Sequence, residues 1–178
     1  MIQLPPIPGW YELHPLVVHF PIALLLIAPL FVLLGLPSWS PKSRAFLLSA
    51  WILMALGTAS VFMALQTGKA AGKLAGEAPQ VKQVLEQHEE LAQTTGVLFL
   101  VLTVVFTALL LVPHVLRREL SRTLTTALLL AFLVLYGTGA LFLVNTAHQG
   151  GRLVHELGVR TSVASSGQTA ALEDASEH

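Results

Sequence analysis

The stretch LVVHFPIALLLIAPLFVLLGL, Leu16–Leu36, contains no Asp, Glu, Lys or Arg. A bilayer core about 30 Å thick is crossed by roughly 20 apolar residues of helix, so this segment reads as a membrane span. Three further runs of that kind follow: Ala45–Leu65, Gly96–Pro113 and Thr123–Ala147. The expected fold is therefore all-α, a four-helix transmembrane bundle. The first span is expected to stay in place rather than be cleaved, because Met1–Glu12 holds no Lys or Arg and no small-residue cleavage site follows it.

Composition agrees with a chain dissolved in lipid. Of the 178 residues 54% are hydrophobic and 11% charged, against about 25% charged in an ordinary soluble domain. Lys plus Arg and Asp plus Glu number 10 each, so no basic field exists to hold nucleic acid. The absence of cysteine removes disulfides, thiolate metal sites, cysteine nucleophiles and covalent c-type haem attachment. No carboxylate lies within a span, and no G-x-S-x-G, H-E-x-x-H or phosphate-loop motif occurs, which argues against hydrolytic chemistry. Histidine, with seven copies, is the residue left to carry chemistry.

Orientation follows from the short connections. Pro37–Arg44 carries Lys42 and Arg44, and His114–Arg122 carries Arg117, Arg118 and Arg122, half of all the basic residues. Those loops are expected on the cytoplasmic side of the membrane, with both termini and the middle loop outside. Trp10 and Tyr11 suit an outer interfacial anchor. From Pro79 onward, Val81, Val84, Leu85, His88, Leu91, Ala92 and Thr95 share one helical face, so the third helix is expected to begin outside the bilayer and the fourth to continue beyond it. Gly68, Gly72 and Gly76 repeat every four residues; they form either a stripe admitting close approach or a flexible loop. The membrane domain is expected to span residues 1–160, followed by a disordered tail, 161–178.

Five histidines fall at the outer end: His14 and His19 on the first span, His88 on the third helix, His148 and His155 on the fourth. His88 interrupts an apolar stripe although Gln87 and Glu89 flank it, so it is expected to face inward. His148, Arg152 and His155 share a face around Gly150 and Gly151. The two imidazoles are about 10 Å apart along the axis, too far to hold one metal together, so each needs a partner on another helix. Counting rise puts His19 and His148 near the membrane boundary, with His88 and His155 roughly two turns further out. Two such tiers, each with imidazoles from two helices, suit bis-histidine ligation of one or two b-type haems. Gly150 and Gly151 would make room for the plate and Arg152 would meet a propionate. His14 is expected to end the helix or to hydrogen-bond the ligand without touching iron. His114 stands alone at the other end.

The block His14-Pro15-x-x-x-His19-Phe20-Pro21-Ile22-Ala23-Leu24 resembles the opening signature of the bacterial membrane family known as domain of unknown function 2231. Leu85-x-x-His88 is similar to that family's second histidine block, and Ala147-His148-Gln149-Gly150-Gly151-Arg152-Leu153-Val154-His155 to its Gly-Gly block. The likeness covers about residues 12–160 and implies a four-helix domain akin to two-haem cytochrome b bundles, with His19, His88, His148 and His155 as candidate iron ligands. Many relatives carry Tyr at the place of His155 and His at that of Leu157. The version of the family fused to cytochrome c domains implies that here a separate cytochrome c or another respiratory-chain protein is the partner, since this chain has no such domain. The expected role is an electron carrier or a subunit rather than a stand-alone enzyme. Two alternatives remain open: a non-haem copper or zinc protein using the outer histidines with Glu89 or Glu90, and a structural subunit whose histidines join helices.

Overall fold

The computed structural model describes residues 9–36, 42–75, 78–115 and 120–159, with only the backbone of His114. The tail, the domain limit at 160, Gly76, Arg117 and Arg118 lie outside the described residues. Every described element is helical: α1 (His14–Val17), α2 (His19–Leu34), α3 (Ser43–Gly72), α4 (Pro79–Val115) and α5 (Arg122–His155). The gap between α1 and α2 is one residue, Val18, whose φ and ψ of −62° and −23° remain helical. Pro21 explains it, because a proline has no N–H to return to the carbonyl four residues back. His14–Leu34 thus counts as one span, and it joins α3, α4 up to Pro113 and α5 as the four helices long and apolar enough to cross a membrane.

Consecutive helices pack side by side, and α2 meets α5 to close the ring, while the backbones of the diagonal pairs α2·α4 and α3·α5 stay more than 8 Å apart, Cα to Cα, among the described residues. This is a four-helix bundle with up-and-down connectivity. Its seam is legible as alternating steps of three and four: Pro21, Leu25, Ala28 and Val32 on α2; Phe99, Leu102 and Phe106 on α4; Leu129, Phe132, Tyr136, Gly139 and Leu143 on α5. Facing side chains fill the axis with rings: Phe99 sits edge-on to Tyr136 with centroids 5.4 Å apart, and Phe106 stacks on Phe132 at 4.9 Å.

Where helices come closest the seam carries glycine. A Cβ on Gly57 would lie 2.6 Å from Leu25 Cδ2, and one on Gly139 2.8 Å from Leu102 Cδ1. The outward faces are as apolar as the core. Val134 is 75% exposed and Leu141 71%, which water would penalise and lipid does not. Polar side chains inside the ring bond to each other across helices: Thr58 Oγ1 with Thr103 Oγ1 at 2.9 Å, Trp51 Nε1 to Thr107 Oγ1 at 2.9 Å, and Thr95 Oγ1 with Thr146 Oγ1 at 2.9 Å.

At the end carrying His14, α4 starts early and α5 ends late, as their apolar stripes require. Val81 and Val84 of α4 bury against Leu153 of α5, and Gly158, at φ 66°, turns the chain back so that Val159 N donates to Leu153 O at 2.9 Å. Of the glycine stripe, Gly68 and Gly72 are helical, in the last turns of α3.

Candidate functional site

The four spans part beneath this cap and leave a cavity of about 410 Å³, within the usual range for small-molecule and cofactor sites. Its walls are mainly apolar: Pro21 and Ile22 from α2, Val61 and Leu65 from α3, Leu85 from α4, Leu143 and Leu153 from α5. Two imidazoles line it, His14 from α1 and His88 from α4.

His14 is set by the turn before it and the proline after it. Glu12 N donates to Gly9 O at 2.9 Å and the Glu12 carboxylate accepts from Gly9 N at 2.9 Å. Pro15 then occupies the first helical turn, where no donor is required. The imidazole lies across α3, with Nδ1 3.1 Å from Thr67 Oγ1 and Cε1 2.9 Å from the point a Cβ on Gly68 would occupy.

His88 has a parallel arrangement on the opposite pair of helices. Its Nδ1 donates to Thr146 O at 3.0 Å, and its Cε1 lies 3.1 Å from where a Cβ of Gly150 would be. The carbonyl of Thr146 can only accept, so His88 carries its proton on Nδ1 and, when neutral, has an unprotonated Nε2. Each histidine thus brings its Cε1 against a glycine of a neighbouring helix; the glycines make room for the imidazoles themselves. Gly151, by contrast, faces open space. The charged residues of the lining are Lys69, exposed, and Glu89, partly buried, whose Oε1 lies 3.2 Å from a Cβ position on Gly72.

The remaining sequence-selected residues lie elsewhere. His19 is exposed, and its Nδ1 donates to Pro15 O of its own helix at 2.6 Å. His148 and His155 are exposed on α5. Arg152 is engaged along its own helix, with Nε 3.0 Å from Glu156 Oε2 and Nη1 3.1 Å from Gln149 Oε1. Rise-counting placed His88 two turns beyond His148; in the structure it is level with Thr146 and Gly150, because α4 and α5 are not cut at a common plane. His14, expected only to end the helix or assist, is the first-span histidine that lines the cavity. Thr67, Thr146 and Lys69 were not singled out from the sequence. Among the described residues no three His, Asp or Glu side chains converge as a metal centre of that size needs.

Comparison with curated proteins and with solved structures yields no match to this chain. The family described as Predicted membrane protein (DUF2231) matches residues 11–163, a segment that holds all four spans and every residue lining the cavity. The chain is therefore an integral membrane protein belonging to the DUF2231 family.

Proposed function

We propose that the cavity is a b-type haem site with His14 and His88 as the two iron ligands, and that the protein is an electron carrier of the membrane. The observation that carries this is the pair of imidazoles from different helices facing one apolar cavity, each already tethered through Nδ1. Two imidazoles suffice for a bis-histidine haem, whereas a zinc ion held by protein takes three or four ligands. No such trio exists among the described residues.

The residues present fit the group. Gly68 and Gly150 let both rings lie close to the helix backbones. The leucines and valines of the wall would keep water from the iron and offer an apolar surface to a porphyrin. Lys69 supplies a cation at the rim for a propionate carboxylate. When bound, haem supplies a one-electron couple, and coordination from both sides favours electron transfer over oxygen binding. The chain's part is to hold two imidazoles in fixed orientation, to exclude water, and to set the local charge with Lys69 and Glu89. His19, His148, His155 and Arg152 have no part in holding this haem.

The basic connections lie at the opposite end of the bundle, so the cavity belongs to the outer side and its redox partner is a separate outer-face protein, such as a cytochrome c. The lack of native cysteine lets single cysteines at Leu120 and Glu156 report the side directly. Labelling of Glu156→Cys but not Leu120→Cys from outside is the expected result.

The primary test is the spectrum of protein purified in mild detergent, oxidised and then reduced with dithionite. A Soret band with sharp reduced α and β bands, at one haem per chain, is expected. A colourless preparation from haem-replete cells would remove the proposal.

A further inference from the structure

The hydroxyl of Thr67 is the polar group on α3 that meets His14, and its own bonding fixes which way the proton between them points. Thr67 is buried, with 1% of its surface exposed. Its Oγ1 lies 3.1 Å from Met63 O and 3.1 Å from Ala64 O. Both are carbonyls and can only accept, so the single hydroxyl proton is committed to the backbone of α3. What Oγ1 has left to offer His14 Nδ1, 3.1 Å away, is a lone pair.

We infer that Thr67 is a positioning residue that locks neutral His14 as the Nδ1–H tautomer and so presents an unprotonated Nε2 to the cavity. An imidazole in water is free to carry its proton on either nitrogen; here, among the described residues, it is the Nδ1 proton that finds a partner. Turning the ring over about Cβ–Cγ would set a carbon against the Thr67 hydroxyl and leave that acceptor unmatched in a buried place. Gly68 keeps the ring against the helix, Cε1 lying 2.9 Å from the missing Cβ. His88 reaches the same state through a main-chain carbonyl, Thr146 O. Both rings therefore offer a basic Nε2, the form that ligates a metal, and at His14 the device is a side chain that can be exchanged.

Its use in haem ligation rests on the proposed function, but the tautomer is a property of the chain and is measured separately. The experiment is nitrogen-15 NMR of the full-length protein, labelled at histidine and purified in detergent without added haem, with His14 assigned by its loss in His14→Ala. Expected is a protonated Nδ1 and an unprotonated Nε2 at His14. Thr67→Val should shift the tautomer ratio toward Nε2–H by about two- to tenfold, and Thr67→Ser should restore it. A wild-type His14 protonated at Nε2, or a ratio unmoved by Thr67→Val, overturns the inference; the wild-type measurement decides even if the valine variant does not fold. In parallel, haem occupancy should fall about tenfold or more in Thr67→Val and return in Thr67→Ser. An Nδ1–H tautomer in a chain that never takes up haem would remove the haem assignment and leave the tautomer lock standing.

Discussion

The phenolic hydroxyl of Tyr136 donates to the main-chain oxygen of Leu25 at 2.7 Å, and Leu25 is the residue whose carbonyl Pro29 cannot serve, four positions on in the same helix. The proline frees an acceptor in the middle of a span, where no water is available to satisfy it, and a ring from the facing helix supplies the donor. Tyr136 is 1% exposed and packs edge-on to Phe99, so the bond also fixes the register of α5 against α2 just below the cavity.

Tyr136→Phe leaves that carbonyl unmatched and should destabilise the bundle by about 1–3 kcal/mol, read as an earlier midpoint in denaturation from mixed micelles. Pro29→Ala restores an N–H to the Leu25 carbonyl. In that background Tyr136→Phe should cost about 1 kcal/mol less; equal costs in both backgrounds would show that the tyrosine acts through packing alone.

The two glycines under the imidazoles give a second prediction. Gly68→Ala and Gly150→Ala place a methyl 2.9 and 3.1 Å from the Cε1 atoms of His14 and His88, so each ring must move. Haem affinity should drop about 10–100-fold in either variant, a loss like that caused by removing a ligand's orienting partner. Gly137→Ala and Gly151→Ala meet nothing within 4 Å and should bind as the wild type does. Haem titration of the four detergent-purified variants makes the comparison.

Charge at the cavity should set the potential with opposite signs at two positions. A nearby cation favours the electron-rich form, so Lys69→Gln should lower the midpoint potential and Glu89→Gln should raise it, by a few tens of millivolts. Lys69 is exposed and Glu89 partly buried, so solvent screens the lysine more and the glutamate variant should shift further. Spectroelectrochemical titration reads both, and shifts of the same sign would contradict this assignment of charge.

Much of this site could be read from helical register. On the first span the inward series Val32, Ala28, Leu25, Pro21 continues backward in steps of three and four through Val18 to His14. His19 is five residues from His14, about 140° around the helix, and turns away. On α5 the series Leu129, Phe132, Tyr136, Gly139, Leu143 runs on through Thr146 and Gly150 to Leu153, passing by His148 and His155. His88 shares one helical face with Val81, Val84, Leu85 and Thr95, which is legible in the sequence, and that face continues inward to Phe99. Spans and helix extensions were equally legible, being a matter of apolar length. Height along the axis does not separate His19 from His14; the register of the first span does, and it sets His14 at the cavity and His19 on the exposed side. Thr67 left no comparable mark in the sequence, because its role depends on which side of α3 the first span crosses.

The most direct measurement compares reduced-minus-oxidised difference spectra of two sets of variants at equal protein. If His14 and His88 hold the haem, the triple variant His19→Ala/His148→Ala/His155→Ala keeps the wild-type α-band, whereas His14→Ala and His88→Ala each lose it or shift it to a five-coordinate spectrum. An α-band that survives in both single variants and disappears in the triple variant would contradict the account.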